Sequence, residues 1–208
     1  SNDPSSLSKP GFWSVVNTFE GEWICARFAT VINAPLPAMP WQGITTPWQS
    51  SQSKSTYEDN VRLIKEKIED GDIYQVNLCR VISHPISADQ SILGLANELA
   101  TANPAPHAVV ISLPDLEIVS ASPELFIKRY GDDLMSSPIK GTGKNEAEIL
   151  EKDKAENIMI VDLVRNDLAQ VASKNSVGVD ELCEIYSFET VHQMISKISC
   201  SLEPTIQF

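Results

Sequence analysis

The longest regular pattern in the chain is a strand-like alternation over residues 177–202. His192, Met194, Ser196 and Ile198 fall on one side of it, because successive side chains of a strand point to opposite faces. Shorter strands are predicted over residues 10–33, 73–82, 108–112, 116–120, 125–130 and 134–139. Their hairpin-like connections, such as the one around Gly131, favour antiparallel pairing.

Helical periodicity separates some of these strands. Residues 55–58 (STYE) have capping-box spacing, and Gly71 is a natural C-terminal stop. Between them an apolar stripe follows steps of four, three and four: Tyr57, Val61, Ile64 and Ile68. Residues 91–102 and 147–171 predict two more helices. Long strands, few helices and no regular βαβ alternation predict an α+β fold.

A connector divides the chain near its N-terminus. Residues 34–54 are rich in Pro, Gln, Ser and Thr, and four prolines exclude regular structure there. The predicted division is therefore residues 1–54, comprising N-terminal strands and the connector, and residues 55–208.

Composition limits the classes of partner. The 208 residues carry a formal net charge of −12, and nucleic-acid binding needs clustered Lys and Arg, so no nucleic-acid partner is expected. No apolar run is long enough to span a membrane. An anionic small substrate would require local positive charge, from placed cations or a divalent metal.

The cysteines predict no metal site. Four cysteines are widely spaced without a C-x-x-C pair, and only three histidines are present, so zinc is not expected. The pattern is typical of buried thiols in a reduced cytoplasmic protein.

Five segments contain combinations of residues that a structural role alone does not explain. In chain order they are GDIYQVNL (71–78), SASPELF (120–126), PIKGT (138–142), AENIMIVDLVRND (155–167) and SFETVHQMIS (187–196). Their order and spacing resemble the chorismate-utilising superfamily, which includes aminodeoxychorismate, anthranilate, isochorismate and salicylate synthases. The resemblance, from about residue 57 onward, implies a partial anthranilate-synthase-like fold of antiparallel sheets with helices packed outside. It also implies that residues 55–208 are the N-terminal part of the catalytic domain.

Two positions divide the chemistry of this superfamily. Enzymes that use water as nucleophile carry a lysine base at the position of Gln75, and a neutral amide cannot take a proton from water. Gln75 therefore points to the amine-adding branch, with a role in substrate binding. The aminodeoxychorismate synthases carry Lys at the position of Lys140, where anthranilate synthases usually carry Ala. The resemblance makes Lys140 a covalent nucleophile, which must lose its proton through burial and a nearby cation.

The resemblance also implies roles for other residues. Glu124 is the general acid that protonates the departing C4 hydroxyl of chorismate, and His192 lies close to the reacting ring. Gly141 and Thr142 contact the substrate beside the lysine. Glu156 is a Mg²⁺ ligand that bridges the metal to a substrate carboxylate, as suits an oxygen-seeking cation. Taken alone, each residue could equally be structural.

The implied reaction is amination of chorismate at C4, with ammonia supplied by a glutamine amidotransferase partner, in the cytoplasm and in folate biosynthesis. Anthranilate synthesis and a non-catalytic partner-docking module remain alternatives. Members of the superfamily continue past the VHQM segment with a glycine-rich loop, an arginine and a second metal-ligand glutamate. We therefore expect the chain to be truncated at its C-terminal side and poorly active.

Overall fold

A computed structural model describes residues 2–87 and 90–206. The chain forms two compact units, Ser1–Met39 with Ile92–Phe208 as the first and Pro40–Ser91 as the second. Short 3-10 helices occupy Pro4–Ser8 and Glu146–Glu148. The other elements are β1 (Phe12–Asn17), β2 (Trp23–Phe28), β3 (Gln49–Ser50), α1 (Lys54–Glu69), β4 (Ile82–Ser83), α2 (Ile92–Ala102), β5 (His107–Leu113), β6 (Leu116–Ser122), β7 (Leu125–Tyr130), β8 (Asp133–Ser137), β9 (Ile139–Gly143), α3 (Glu151–Ala169), β10 (Gly178–Ser187) and β11 (His192–Ser201).

The second unit contains α1 and the short β3–β4 pair. The predicted capping box was wrong, because the N-cap is Ser53, whose hydroxyl accepts a hydrogen bond from the Thr56 N–H at 3.1 Å. Ser55 therefore lies inside the first turn, and Glu58 pairs with Lys54 at 3.7 Å instead of closing a box. The stop at Gly71 is confirmed. Its φ of 81° lets the N–H groups of residues 71 and 72 bond back to the last turn.

The strand predicted over residues 73–82 was wrong except at its end. Only Ile82 and Ser83 pair, with Ser50 and Gln49 of β3. Strand geometry depends on a ladder partner for the backbone, and no described strand pairs with residues 73–80. Cys79 is consequently exposed and Cys183 only half-buried, which corrects the prediction of four buried thiols; the four cysteines are not joined in disulfides.

The first unit holds the predicted antiparallel hairpins. β1 pairs with β2, and β5 pairs with β6. A larger sheet has the order β10-β11-β8-β7, and β9 pairs with β11 next to β8. The hairpin predicted around Gly131 is confirmed, with a φ of 60° at the glycine, and the β1–β2 hairpin turns at Gly21, where φ is 89°. The predicted boundary between residues 54 and 55, after which the catalytic domain would begin, stays a prediction.

Helix α3 covers one face of the large sheet. Its buried Val161 and Leu168 pack with Leu134 of β8 and with Ile198 and Cys200 of β11. Ile198 has no exposed surface, so it marks the centre of this layer. Burial of these side chains, each contributing about 1.5–3 kcal/mol, holds helix and sheet together. Antiparallel sheets with helices on the outside confirm the predicted α+β class.

A cross-strand cluster joins β10 to β11. Lys197 Nζ lies 2.9 Å from Glu181 Oε1 and donates a hydrogen bond to Tyr186 Oη at 2.6 Å, and the Tyr186 hydroxyl donates to the other Glu181 oxygen. The hydrogen bond from Tyr186, followed by that from Lys197, holds the pKa of Glu181 below its ordinary value. The bonds to Tyr186 and then to Glu181 raise the pKa of Lys197.

This cluster makes part of the stability depend on pH. A carboxyl whose pKa is lowered by folding stabilises the fold while ionised, and that contribution is lost as pH falls through the lowered value. Glu181→Gln should therefore be less stable than wild type at pH 7, and the difference should shrink below about pH 4. Urea unfolding at pH 7, 5 and 3.5 measures it; a difference independent of pH would contradict the assignment.

Candidate active site

Strand β9 carries Lys140, Gly141 and Thr142, and it runs beside the start of β11. His192 pairs with Gly143, and Gln193 pairs with Thr142. Directly opposite residues of antiparallel strands present their side chains to the same face. The pairing therefore places the PIKGT and VHQM segments, which are about 50 residues apart in sequence, side by side in the fold.

The backbone at Gly141 lies against the start of helix α3. Gly141 has a φ of 87°, and a Cβ built there would lie 2.9 Å from Asp153 Cβ and 3.1 Å from Ile149 Cγ2. Asp153 itself accepts a hydrogen bond from the Leu150 N–H at 2.8 Å and so caps the helix. Only glycine suits this position, because the conformation is left-handed and the approach is close. The glycine therefore couples the lysine-bearing strand to α3.

Glu124 is tied to the same strand. Its Oε1 accepts a hydrogen bond from the Ile139 N–H at 2.9 Å, and its own N–H bonds to the Ser122 hydroxyl at 3.3 Å. The carboxylate is therefore held beside the backbone that precedes Lys140. Glu124 is exposed, so the described residues do not supply the desolvation expected for a general acid.

Lys140 is half-buried, unlike a typical surface lysine. Its amine makes no hydrogen bond or ion pair with residues 2–87 or 90–206. No described carboxylate therefore pairs with this amine.

His192 begins β11 and is half-buried. Its Nδ1 lies 3.0 Å from the Ser187 hydroxyl at the end of β10. This contact fixes the orientation of the ring and leaves Nε2 available for another partner. His192 thus lies on the strand next to the lysine segment.

Glu156 projects from α3 as an exposed side chain. In the part of the chain that is described, no three His, Cys, Asp or Glu side chains form a group that could hold a metal. Mg²⁺ is commonly held by one or two carboxylates together with water and substrate oxygens. The chemistry of Glu156 fits one ligand of such an open site, and the described residues supply no closed cage.

A buried polar cluster fixes α3 to β11. Asn157, which has no exposed surface, donates to the Met194 carbonyl at 3.3 Å and accepts from the Ser196 hydroxyl at 2.5 Å. The Cys183 N–H donates to Ser196 Oγ at 2.9 Å. Asn157 follows Glu156 directly, so this cluster fixes the helix at the residue next to the candidate metal ligand. Sequence reasoning missed it, although both partners lie in the quoted motifs.

Gln75 lies in the second compact unit, between α1 and β4, and its side chain is exposed. The first unit brings Glu124, Lys140, Thr142 and His192 together through one strand pair and one hydrogen bond. Glu156 belongs to the same unit through the helix that Gly141 contacts. The first unit therefore contains an amine, a carboxylic acid and an imidazole around a single strand.

A sequence profile described as a chorismate binding enzyme matches residues 17–208. The chain therefore belongs to the chorismate binding enzyme family.

Similar proteins include synthases of two kinds. Aminodeoxychorismate synthase component 1 of Klebsiella aerogenes is 34% identical over 189 residues, covering 85% of this chain and 42% of the relative. The Escherichia coli K12 protein of the same name is 36% identical over 171 residues, covering 76% and 37%. Anthranilate synthase component 1 of Saccharomyces cerevisiae is 32% identical over 183 residues, covering 82% and 36%. The chain thus spans about two fifths of the length of these relatives.

Solved structures confirm the fold. Anthranilate synthase component I from Streptococcus pneumoniae superposes with a TM-score of 0.69 at 24% identity, covering 85% of this chain and 41% of that one. An isochorismate synthase from Bacillus anthracis gives a TM-score of 0.60 at 20% identity, covering 89% and 51%. The predicted anthranilate-synthase-like fold is therefore confirmed. None of the helices in residues 2–87 and 90–206 is long and apolar enough to cross a membrane.

Proposed function

We propose that the chain carries the nucleophile and acid of an enzyme that aminates chorismate at C4 to give 4-amino-4-deoxychorismate. The supporting observation is the grouping around β9, where Glu124 bonds the backbone next to Lys140 and His192 lies on the neighbouring strand. The ammonia would come from a glutamine amidotransferase subunit, and the product would enter folate biosynthesis. Four cysteines outside disulfides suit a cytoplasmic protein, where thiols stay reduced.

The first half of the reaction forms a bond to the protein. The Lys140 amine attacks C2 of chorismate, the two conjugated double bonds of the ring shift, and the C4 hydroxyl leaves as water with a proton from Glu124. The amine loses one proton as the C2–N bond forms. Covalent catalysis of this kind replaces one difficult displacement by two easier ones.

The second half restores the lysine. Ammonia attacks C4, the two ring double bonds shift back, and the C2–N bond to Lys140 breaks. The amine that leaves takes up a proton released by the attacking nitrogen. His192 would orient or polarise groups near C4, and Gly141 and Thr142 would contact the substrate.

Glu156 would hold Mg²⁺ together with a substrate carboxylate and water. When bound, the metal supplies positive charge beside a dianionic substrate in a chain whose net charge is −12. Glu156 has the charge and position on α3 to orient that carboxylate relative to β9.

Glu156→Gln should weaken chorismate binding in the presence of Mg²⁺ by at least about tenfold, because a neutral amide is a poor Mg²⁺ ligand. Calorimetric titration with chorismate, with and without Mg²⁺, measures the change. Glu151→Gln, at an exposed position in the first turn of the same helix, is the matched control and should bind like wild type. Equal Mg²⁺ dependence in both variants would remove Glu156 from the proposed site.

The second candidate is anthranilate synthesis, because anthranilate synthases are among the similar proteins at 32% identity. The products separate the two reactions, since the first retains the enolpyruvyl group and the second eliminates pyruvate. Lys140 favours the first. Pyruvate released in step with amination would favour the second, and a module that only docks a partner would bind no chorismate.

A further inference from the structure

Gln193 carries an unpaired polar group in a buried position. It is only 6% exposed, and its Oε1 is the one buried side-chain nitrogen or oxygen atom of the described residues that lacks a hydrogen-bond partner. A buried carbonyl without a donor destabilises the fold by about 1–3 kcal/mol. Such a group in a native structure indicates a missing partner, and here the partner must be a hydrogen-bond donor.

Gln193 lines a cavity of about 180 Å³ beside the lysine segment. Thr142, directly opposite Gln193 in the strand pair, lines the same cavity together with Pro123, which precedes Glu124. The turn that joins β10 to β11 contributes Phe188 and Thr190. The cavity therefore touches each of the segments that carry Glu124, Lys140 and His192.

The walls of this cavity are neutral. None of the described residues that line it is Asp, Glu, Lys, Arg or His, and the polar ones are Asn103, Thr142, Thr190 and Gln193. A cation buried here would lack a counter-charge, which is strongly unfavourable. A small neutral donor meets no such penalty. Since one water occupies roughly 30 Å³ of liquid, the space is large enough for a molecule of that size.

We propose that this cavity binds neutral ammonia and that Gln193 Oε1 accepts a hydrogen bond from it. Ammonia has three N–H donors and one lone pair, so neutral acceptors can hold its hydrogens while the lone pair stays free to attack. The inference rests on the proposed amination: ammonia held here forms the C4–N bond, the C2–N bond to Lys140 breaks, and the proton lost by the new amine returns to Lys140.

Amination kinetics with ammonium chloride as nitrogen source test this site in the full gene product that carries residues 1–208. Gln193→Met keeps the length of the side chain and removes the acceptor. It should raise the KM for ammonia about tenfold, the effect of one buried hydrogen bond, and leave the KM for chorismate unchanged. Because the variant also removes an unpaired buried carbonyl, its thermal stability should equal or exceed that of wild type. A purely structural role would give the opposite result, lower stability with an unchanged KM for ammonia.

Gln193→Glu is the second variant, and it keeps the shape of the side chain if the methionine does not fold. Its carboxylate would hold the nitrogen as ammonium, which has no lone pair, so kcat at saturating ammonium should fall at least tenfold. Gln170→Leu, at an exposed position after α3, is the control and should match wild type.

Formation of the Lys140 adduct without ammonia separates the two proposals. An adduct in wild type and both Gln193 variants, with the predicted kinetic changes, supports the ammonia site. An adduct with unchanged ammonia kinetics in both variants overturns the ammonia site and leaves the amination proposal standing. Absence of the adduct in wild type overturns the amination mechanism, and the ammonia site with it.

Discussion

Lys140→Ala is expected to lower the rate of chorismate amination by at least about 10³-fold, because the variant has no amine to form the covalent intermediate. The side chain is half-buried and makes no ion pair with a described residue, so its removal should cost little stability. Product formation from chorismate, ammonium and Mg²⁺, followed by chromatography, measures the loss in the full gene product that carries residues 1–208.

Lys128→Ala is the matched control. Lys128 lies on β7 of the same unit and is exposed, so its loss should leave the rate within about twofold of wild type. Chorismate binding by Lys140→Ala should persist in the presence of Mg²⁺, which separates a chemical defect from misfolding. A Lys140→Ala enzyme with near wild-type turnover would show that the lysine is not the nucleophile.

Gly141→Ala is expected to destabilise the protein by about 2–4 kcal/mol. The left-handed φ of 87° is unfavourable for alanine by about 1–2 kcal/mol, and the new methyl group would overlap Asp153 Cβ at 2.9 Å. Relief of that overlap must move β9 from α3, so amination should fall as well. Urea unfolding at pH 7 measures the change in free energy.

Gly131→Ala isolates the contribution of close approach. Gly131 also has a positive φ, of 60°, in the β7–β8 turn, but a Cβ there meets nothing within 4 Å. Gly131→Ala should lower the free energy of unfolding by only about 1–2 kcal/mol, which is the conformational contribution, and should leave amination unchanged. Equal destabilisation by the two substitutions would mean that Gly141 is a turn glycine and does not couple the lysine strand to the helix.

Local patterns predicted most of the first unit. Two-residue alternation identified β5, β6 and β7, because a strand in an antiparallel hairpin finds its partner a few residues away. The single alternation predicted over residues 177–202 is instead two strands, β10 and β11, separated by a turn. The same reasoning was wrong over residues 73–82. Their alternation is as regular, but strand formation depends on a partner, and alternation alone does not show that one exists.

The residues at which helices begin and end were predicted less accurately than the presence of the helices. Both Ser53 and Ser55 precede the apolar stripe of α1, and only the backbone geometry shows that Ser53 is the cap. The Glu181–Tyr186–Lys197 cluster could not be predicted, because a register shift between Glu181 and Glu184 sets which side chains meet.

The candidate site was predicted as motifs, and the structure supplies their geometry. The sequence indicated Lys140 and Glu124 separately, whereas the bond from the Ile139 N–H to Glu124 shows how they are held together. Gln193 lay inside a quoted motif, yet its unpaired carbonyl depends on burial, which no pattern in one sequence predicts.

Intact-protein mass spectrometry tests the central claim most directly. The full gene product is incubated with chorismate and Mg²⁺ but without ammonia, beside Lys140→Ala. We predict that the wild-type protein gains the mass of chorismate less one water, that ammonium removes this addition, and that Lys140→Ala shows none. A wild-type protein that stays unmodified while it aminates chorismate once ammonium is added would contradict the covalent mechanism.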